Sequence, residues 1–370
     1  MLDTPVPRRA SFRLETRGAP GVKSERTGMP ARTRRANRAT LVALATVLCV
    51  TAGLSLAAAN APFARGPFFE RVTHPSIVAT SLEEIDHVLG GETHRFGRML
   101  FSTGQADNGV PVYVARERDP HYRIHCIRFT NCPLEGALVA IPRGAKAEGN
   151  LGNRDFEDDG HDDRHLAVRN IDTGIESDLW LSPEPSGNGG TLNIGYGGSF
   201  PANSRGVGHG GATASGFALS IGRIGADELL AGHMRHALFL ITPCENGHVA
   251  PAIGDDNGRD AGCPPIGARL WLDTPPSIIA RSGASRDTQT ILRAMYEYGG
   301  FIGDRCTSCT LGLAFAGGLS DTAMGRRNPW RRIAARYPDE HPAGPRGEYH
   351  INVGTGSIDL REHLHVIAWP

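Results

Sequence analysis

From residue 97 onward, apolar and polar residues alternate with a period near two over short stretches, and Gly, Pro, Asn and Asp punctuate the gaps between them. This pattern predicts strands over residues 110–114, 124–129, 137–141, 164–169, 175–181, 236–242, 268–272, 301–303, 311–315 and 363–368. Two stretches follow a helical period instead. Residues 226–231 carry Asp227 and Glu228 near the positive end of a short helix, and residues 287–298 place Ile291, Leu292, Met295 and Tyr298 on one face, with Gly299 as the stop. A further small helix is expected over residues 81–89. The fold class this implies is mainly β: a single β-sandwich of jelly-roll type, two packed antiparallel sheets with one or two short helices, over residues 97–370. A looser barrel would give the same pattern. Residues 144–160 and 183–211 read as long irregular segments, the usual place for a site.

Composition supports this and adds an address. The 47 Gly and 25 Pro among 370 residues exclude a helix bundle or coiled coil. Residues 1–38 are a basic N-terminal region ending in Arg32, Arg34, Arg35 and Arg38, and residues 39–61 are uncharged and rich in Leu, Val and Ala. This is the layout of an export signal, cleaved near residues 57–61 or retained as a membrane anchor. Residues 62–96 then form an N-terminal extension. The formal net charge of zero conceals an asymmetry: residues 1–40 hold ten basic and three acidic residues, so the remainder carries 29 basic and 36 acidic. A mildly acidic exported body argues against nucleic acid as its partner. Arg326, Arg327, Arg331 and Arg332 around Trp330 are the one basic cluster, read as an ionic surface. Any membrane contact is confined to the N-terminal segment.

Six of the seven cysteines follow residue 61, an even set that suits disulfides in an oxidising compartment. Sequence-local pairing would join Cys126 to Cys132, Cys244 to Cys263 and Cys306 to Cys309. A redox role for Cys306-Thr-Ser-Cys309 is disfavoured because no thioredoxin-like unit precedes it.

The strongest candidate chemistry lies on a predicted hairpin turning at residues 171–174. If Asn170 opposes Ile175, then His165 opposes Trp180, and Asp163, His165, Asp178 and Trp180 share one face while Leu166, Val168 and Leu179 share the other. A carboxylate, an imidazole and an indole on one surface suit a sugar-binding groove, with His165 and Asp163 in acid/base roles and Trp180 as an apolar platform. Asp178, Arg164 and His209 are the further candidates for substrate binding. Taken singly, each of these residues also has a structural reading as a cap, a hydrogen-bonded core residue or a buried aromatic. Asp163 and Asp178 stand too far apart along the sheet for the ~5 Å pair of a retaining glycosidase. A hydrolase needs another acid, from Glu157, Asp158, Glu184 or Asp304. A lyase needs a base, His165 or Tyr196, and a cation for a uronate, Arg164 or Arg205. No cofactor is implied: residues 206–211 fit G-x-G-x-x-G without a strand entering them. His161 and His165 stand four apart, a spacing that serves zinc on a helix and not on a loop entering a strand, so no zinc site is expected, although the acidic stretches 157–163 and 255–260 offer oxygens for a structural Ca²⁺.

Several segments in combination carry a resemblance. Asp163-Arg164-His165-Leu166 leads into a strand whose partner holds Leu179-Trp180, followed by Gly211-Ala212-Thr213-Ala214-Ser215-Gly216 and His236-Ala237-Leu238. Later come His248-Val249-Ala250-Pro251-Ala252, Pro265-Ile266-Gly267-Ala268-Arg269-Leu270 and the helix with Ile291-Leu292-Arg293-Ala294. On these motifs, residues 108–315 resemble a family of exported bacterial β-rich proteins with no assigned activity. Arg235 departs from the acidic residue expected before His236. The resemblance implies a shared fold and export and brings no catalytic residues. The function expected is action on, or binding of, polysaccharide by an exported protein, as a glycoside hydrolase or a polysaccharide lyase. The alternative is a non-catalytic envelope protein that binds glycan or protein.

Overall fold

Strand outweighs helix in the computed structural model, as the alternating pattern requires. It describes residues 63, 65–96, 99–101, 109–149, 163–208, 211–306, 309–336, 349–351 and 353–369. All of them belong to the unit Leu54–Pro370. The expected signal or anchor at 39–61 lies outside the described residues, among which no helix is long and apolar enough to cross a membrane.

The strands in chain order are β1 (Met99–Phe101), β2 (Val112–Ala115), β3 (His121–Cys126), β4 (Leu138–Ala140), β5 (Leu166–Asn170), β6 (Ile175–Trp180) and β7 (Gly190–Ile194). They continue with β8 (Tyr196–Pro201), β9 (Leu238–Thr242), β10 (Arg269–Leu272), β11 (Gly300–Arg305), β12 (Gly312–Leu313), β13 (Tyr349–Ile351) and β14 (Leu364–Ile367). The main helices are α1 (Ser81–Leu89), α2 (Ala226–Ala231) and α3 (Arg286–Glu297). Ser285 caps α3 by accepting the Thr288 amide at 3.1 Å. Gly299 ends it with φ of 67°, where a Cβ would come within 2.5 Å of the Leu270 carbonyl.

These strands form a five-stranded sheet in the order β12-β9-β11-β10-β14, a four-stranded sheet β2-β5-β6-β8, a three-stranded sheet β4-β3-β7 and the pair β1-β13. The expected antiparallel layout differs from this in three places, because β2 pairs with β5, β3 with β7 and β9 with β11 in parallel. Each parallel partner is reached by a crossover long enough to hold other strands, as parallel pairing demands.

Two cores result. The larger packs the five-stranded sheet against α3 through Ile291, Leu292 and Met295, and against α1 through Ile85, Val88 and Leu89. Phe63, Phe68 and Phe96, from the stretch set apart in sequence as an extension, are buried in this same core. The smaller core gathers Tyr113, Ile124, Leu166, Val168, Leu179, Leu192 and Ile194. The β5–β6 register is the one expected, with Asn170 opposite Ile175 and Leu166 opposite Leu179, so Leu166, Val168 and Leu179 face the smaller core together.

The other face of β5–β6 is covered by the segment 211–223. Asp178 accepts the Leu219 amide at 2.7 Å; Glu176 accepts the Ser220 amide at 3.1 Å, its hydroxyl at 2.7 Å and the Arg169 guanidinium at 3.2 Å. Burial and the neighbouring Glu176 push Asp178 well above the usual carboxylate range, which favours its protonated form beneath the covering segment. The two acids therefore differ in what they tolerate. Asp178→Asn should alter stability by no more than about 1 kcal/mol, whereas Glu176→Ala, which removes the carboxylate paired with buried Arg169, should lose about 3–5 kcal/mol in urea unfolding. Equal losses would contradict a neutral Asp178.

Candidate functional site

The hairpin's far end loses its regular ladder where Arg164 and Leu181 both take positive φ, 48° each, a conformation uncommon for bulky residues and concentrated at sites. Beyond it lies a groove of about 510 Å³ that brings together Asp163, His165, Trp180 and Tyr196 with residues 211–214. Phe129 and Asn131 join it from the turn after β3, Asp255 and Asp256 from the loop before β10, and Asp304 and Arg305 from the end of β11.

Three disulfides hold these contributing segments. Cys126–Cys132 closes the turn bearing Phe129 and Asn131 with a Cα separation of 6.3 Å, and Cys244–Cys263 closes the loop bearing Asp255 and Asp256 at 5.9 Å. Cys306–Cys309 follows directly on Asp304 and Arg305. The sequence-local pairing is the one found. Its effect is to fix loop walls as well as turns, because a short closed loop retains few conformations.

One part of the groove is aromatic. The Phe129 ring, 53% exposed, lies nearly parallel to Trp180 with centroids 6.4 Å apart and meets Tyr196 edge-on at 5.6 Å. The Trp180 indole donates to Asp163 at 3.2 Å, fixing that carboxylate beside the ring. The other part is acidic. Burial first, and then the Asp256 carboxylate, raise Asp304 to about 7, so it carries a proton for much of the time near neutral pH. Burial and the carboxylates of Asp163 and Asp255 also hold Asp256 high, against the pull of Arg305. Asp255 is held low, chiefly by its hydrogen bond from His248.

His165 is only 7% exposed and both ring nitrogens are engaged. Nδ1 donates to the buried Glu148, and Nε2 donates to the Ala212 carbonyl at 3.0 Å. Burial opposes the charge, but Glu148 outweighs it and raises His165 to about 9. His165 is thus a fixed imidazolium that ties the 211–214 wall to the hairpin, with neither nitrogen open to a substrate.

The other residues expected from sequence are placed as follows. Asp178 shares the face of Trp180 but lies beneath Leu219, fully buried and outside the groove, because the segment 211–223 covers that part of the sheet. Arg164 is also buried and does not line the groove. Glu184 pairs with Lys146 at 3.3 Å, and Arg205 is exposed away from the groove. His209, Glu157 and Asp158 lie outside the described residues. In the stretch 255–260, Asp255 accepts from Asn257 and Arg259, and Asp260 accepts from the Glu245 amide at 3.4 Å. Among the described residues no group of three or more His, Cys, Asp or Glu side chains is arranged to hold a metal ion. Trp330 of the basic cluster is buried and donates to the Ala316 carbonyl at 2.9 Å.

Phe129, Asn131 and Arg305 were not singled out as site residues by sequence reasoning, and Asp255 and Asp256 entered it only as oxygens for a structural Ca²⁺. One signal was available: each lies within, or just before, a segment closed by a local cysteine pair. A second cavity, of about 450 Å³, is lined by Phe63, Phe69, Trp330 and the His236–Glu228 pair. Most of its carboxylates and its histidine already have partners, and it lacks the exposed aromatic surface of the groove. Comparison of the chain with protein-family models, with curated proteins and with solved structures found no match.

The buried His165–Glu148 pair has a pH signature. The folded value of about 9 lies above the ordinary 6.5, so the pair's contribution is complete below pH 6.5 and is lost as pH rises through about 9. Thermal unfolding of the wild type should therefore show falling stability across that window. Glu148→Gln should lose about 3–5 kcal/mol at mildly acidic pH and show a flatter pH profile. An unaltered profile in the variant would contradict the pairing.

Proposed function

We propose that this is an exported protein that binds polysaccharide in the groove and cleaves it by hydrolysis. The observation that carries the reading is a carboxyl group raised to about 7, Asp304, in the same groove as an exposed aromatic surface. Flat aromatic rings pack against the apolar faces of sugars. Trp180 and Phe129 are the platforms in this account. Asp304 donates a proton to the leaving glycosidic oxygen, and Asp163, fixed by the Trp180 indole, acts as the second carboxylate, activating water or attacking the sugar. His165 moves no proton and holds the wall. The three disulfides and the apolar run 39–61 support an oxidising, extracytoplasmic setting. We read the two cores as the layers of a distorted β-sandwich.

A lyase acting on uronates is the weaker reading, because Tyr196 is pushed up by burial as a base and the groove presents carboxylates to a substrate that is itself anionic. A non-catalytic glycan-binding module would use the same aromatic surface.

Reducing-end release from a panel of polysaccharides tests this directly. Asp304→Asn should lower cleavage by roughly 10²–10⁴-fold with binding retained, and wild-type cleavage should decline as pH rises through about 7. Trp180→Ala should weaken binding itself. Cleavage undiminished in Asp304→Asn would remove the proposed acid, and glycan binding without any cleavage would establish the binding module instead.

A further inference from the structure

The charges of the groove can be paired off one by one. Asp255 is spent on His248, Arg259 and the Asn257 amide. The imidazolium of His165 is cancelled by Glu148. Arg305 is drawn to Asp260, 3.9 Å away. Three carboxyl groups remain outside any ion pair among the described residues. Asp163 accepts the neutral indole N–H of Trp180, Asp304 accepts the adjacent Arg305 amide, and Asp256 has no hydrogen bond or ion pair among the described residues. Desolvation and neighbouring carboxylates raise both Asp256 and Asp304, and Arg305, the cation at this part of the groove, opposes the rise at Asp256 without cancelling it.

Acidic side chains alone would make only a solvated patch. The independent observation is the aromatic surface beside them: Phe129, half-exposed and stacked on Trp180, with Tyr196 against its edge. Aromatic faces attract cations as well as sugar rings, and the two preferences coincide in one ligand, a sugar that carries an ammonium group. A uronate would add a fourth unpaired carboxylate. A neutral sugar would leave the three as they are.

We infer that the groove selects glycans whose sugars bear free amino groups, with Asp256 as the specificity-determining residue that receives the ammonium. This rests on the glycan-binding reading above and extends it from a platform to a charge class. Because the Asp256 carboxylate also helps to raise Asp304, selectivity is read from binding and not from cleavage.

The experiment is titration calorimetry of the purified protein with four β-1,4-linked oligomers of equal length: glucosamine, N-acetylglucosamine, glucose and glucuronate. It is run at a mildly acidic pH that keeps the amines protonated, in low and high salt. The glucosamine oligomer should bind roughly tenfold more tightly than its N-acetylated counterpart at low salt, the scale expected of a solvent-exposed ion pair together with a cation–π contact. Salt should erode that preference, and Asp256→Asn, checked for folding by circular dichroism, should bring the ratio close to unity while the neutral oligomers bind as before. Equal binding of all four, tighter binding of glucuronate, or a preference that survives Asp256→Asn would overturn the charge assignment and leave the glycan reading standing. Failure of every oligomer to bind would overturn both.

Discussion

The constraint on which the rest of the molecule depends is the capture of one irregular segment, 211–223, by two acids of one strand. Backbone amides at Leu219 and Ser220 are buried on the face of β6 and must find acceptors there; Asp178 and Glu176, two residues apart and so on the same face, supply them. The segment is thereby locked between the two cores. At one end the Ala212 carbonyl receives His165, and in the middle Phe217 enters the larger core beside Phe68 and Phe239. At the other end the Arg223 guanidinium sits over the Phe239 ring, within the electrostatic reach of Glu148, Asp304, Asp178 and Glu176. A buried cation among acidic side chains of three segments couples the hairpin, the covering segment and β11 in one electrostatic unit.

The groove follows from that arrangement. With 211–214 fixed as one wall and Asp163, His165, Trp180 and Tyr196 as another, segments within or beside the three disulfides supply the remainder, and none of them needs a large core of its own. Loops outside the main sheets can then carry exposed Phe129 and unpaired Asp256, features that would be costly inside either core. The division of labour among ionisable groups is set by surroundings. His165 has its charge stabilised by a buried partner, Asp178 loses its charge beneath a covering amide, and Asp304 is poised between the two states near neutral pH.

Much of this was legible in the sequence where local rules decide it. The hairpin register came from a short turn and strict alternation, α2 and α3 from period and caps, and the three cysteine pairs from proximity. What escaped was set by contacts distant in sequence. The strands β7 and β8 read as loop because Gly190, Gly195, Gly197 and Gly198 hide their strand character. At Gly197 the reason is packing, since a Cβ there would stand 2.5 Å from the Asp178 carbonyl oxygen. Parallel pairing leaves no local mark. Alternation placed Asp178 on the face of Trp180, but only the covering segment determines that one is buried and the other borders a groove. The aromatic surface was half visible for the same reason: Trp180 lies on a patterned strand, whereas Phe129 lies in a turn whose position depends on the Cys126–Cys132 closure.

The central claim is that a sugar chain occupies this groove, with its rings on the aromatic surface and its scissile oxygen at Asp304. The most direct measurement is a crystal structure of Asp304→Asn with a bound glucosamine oligomer. The account predicts a pyranose ring against Trp180 and Phe129, an amino group at Asp256, and a glycosidic oxygen within hydrogen-bonding distance of the residue-304 side chain. An oligomer bound elsewhere on the protein, with the groove empty, would contradict it.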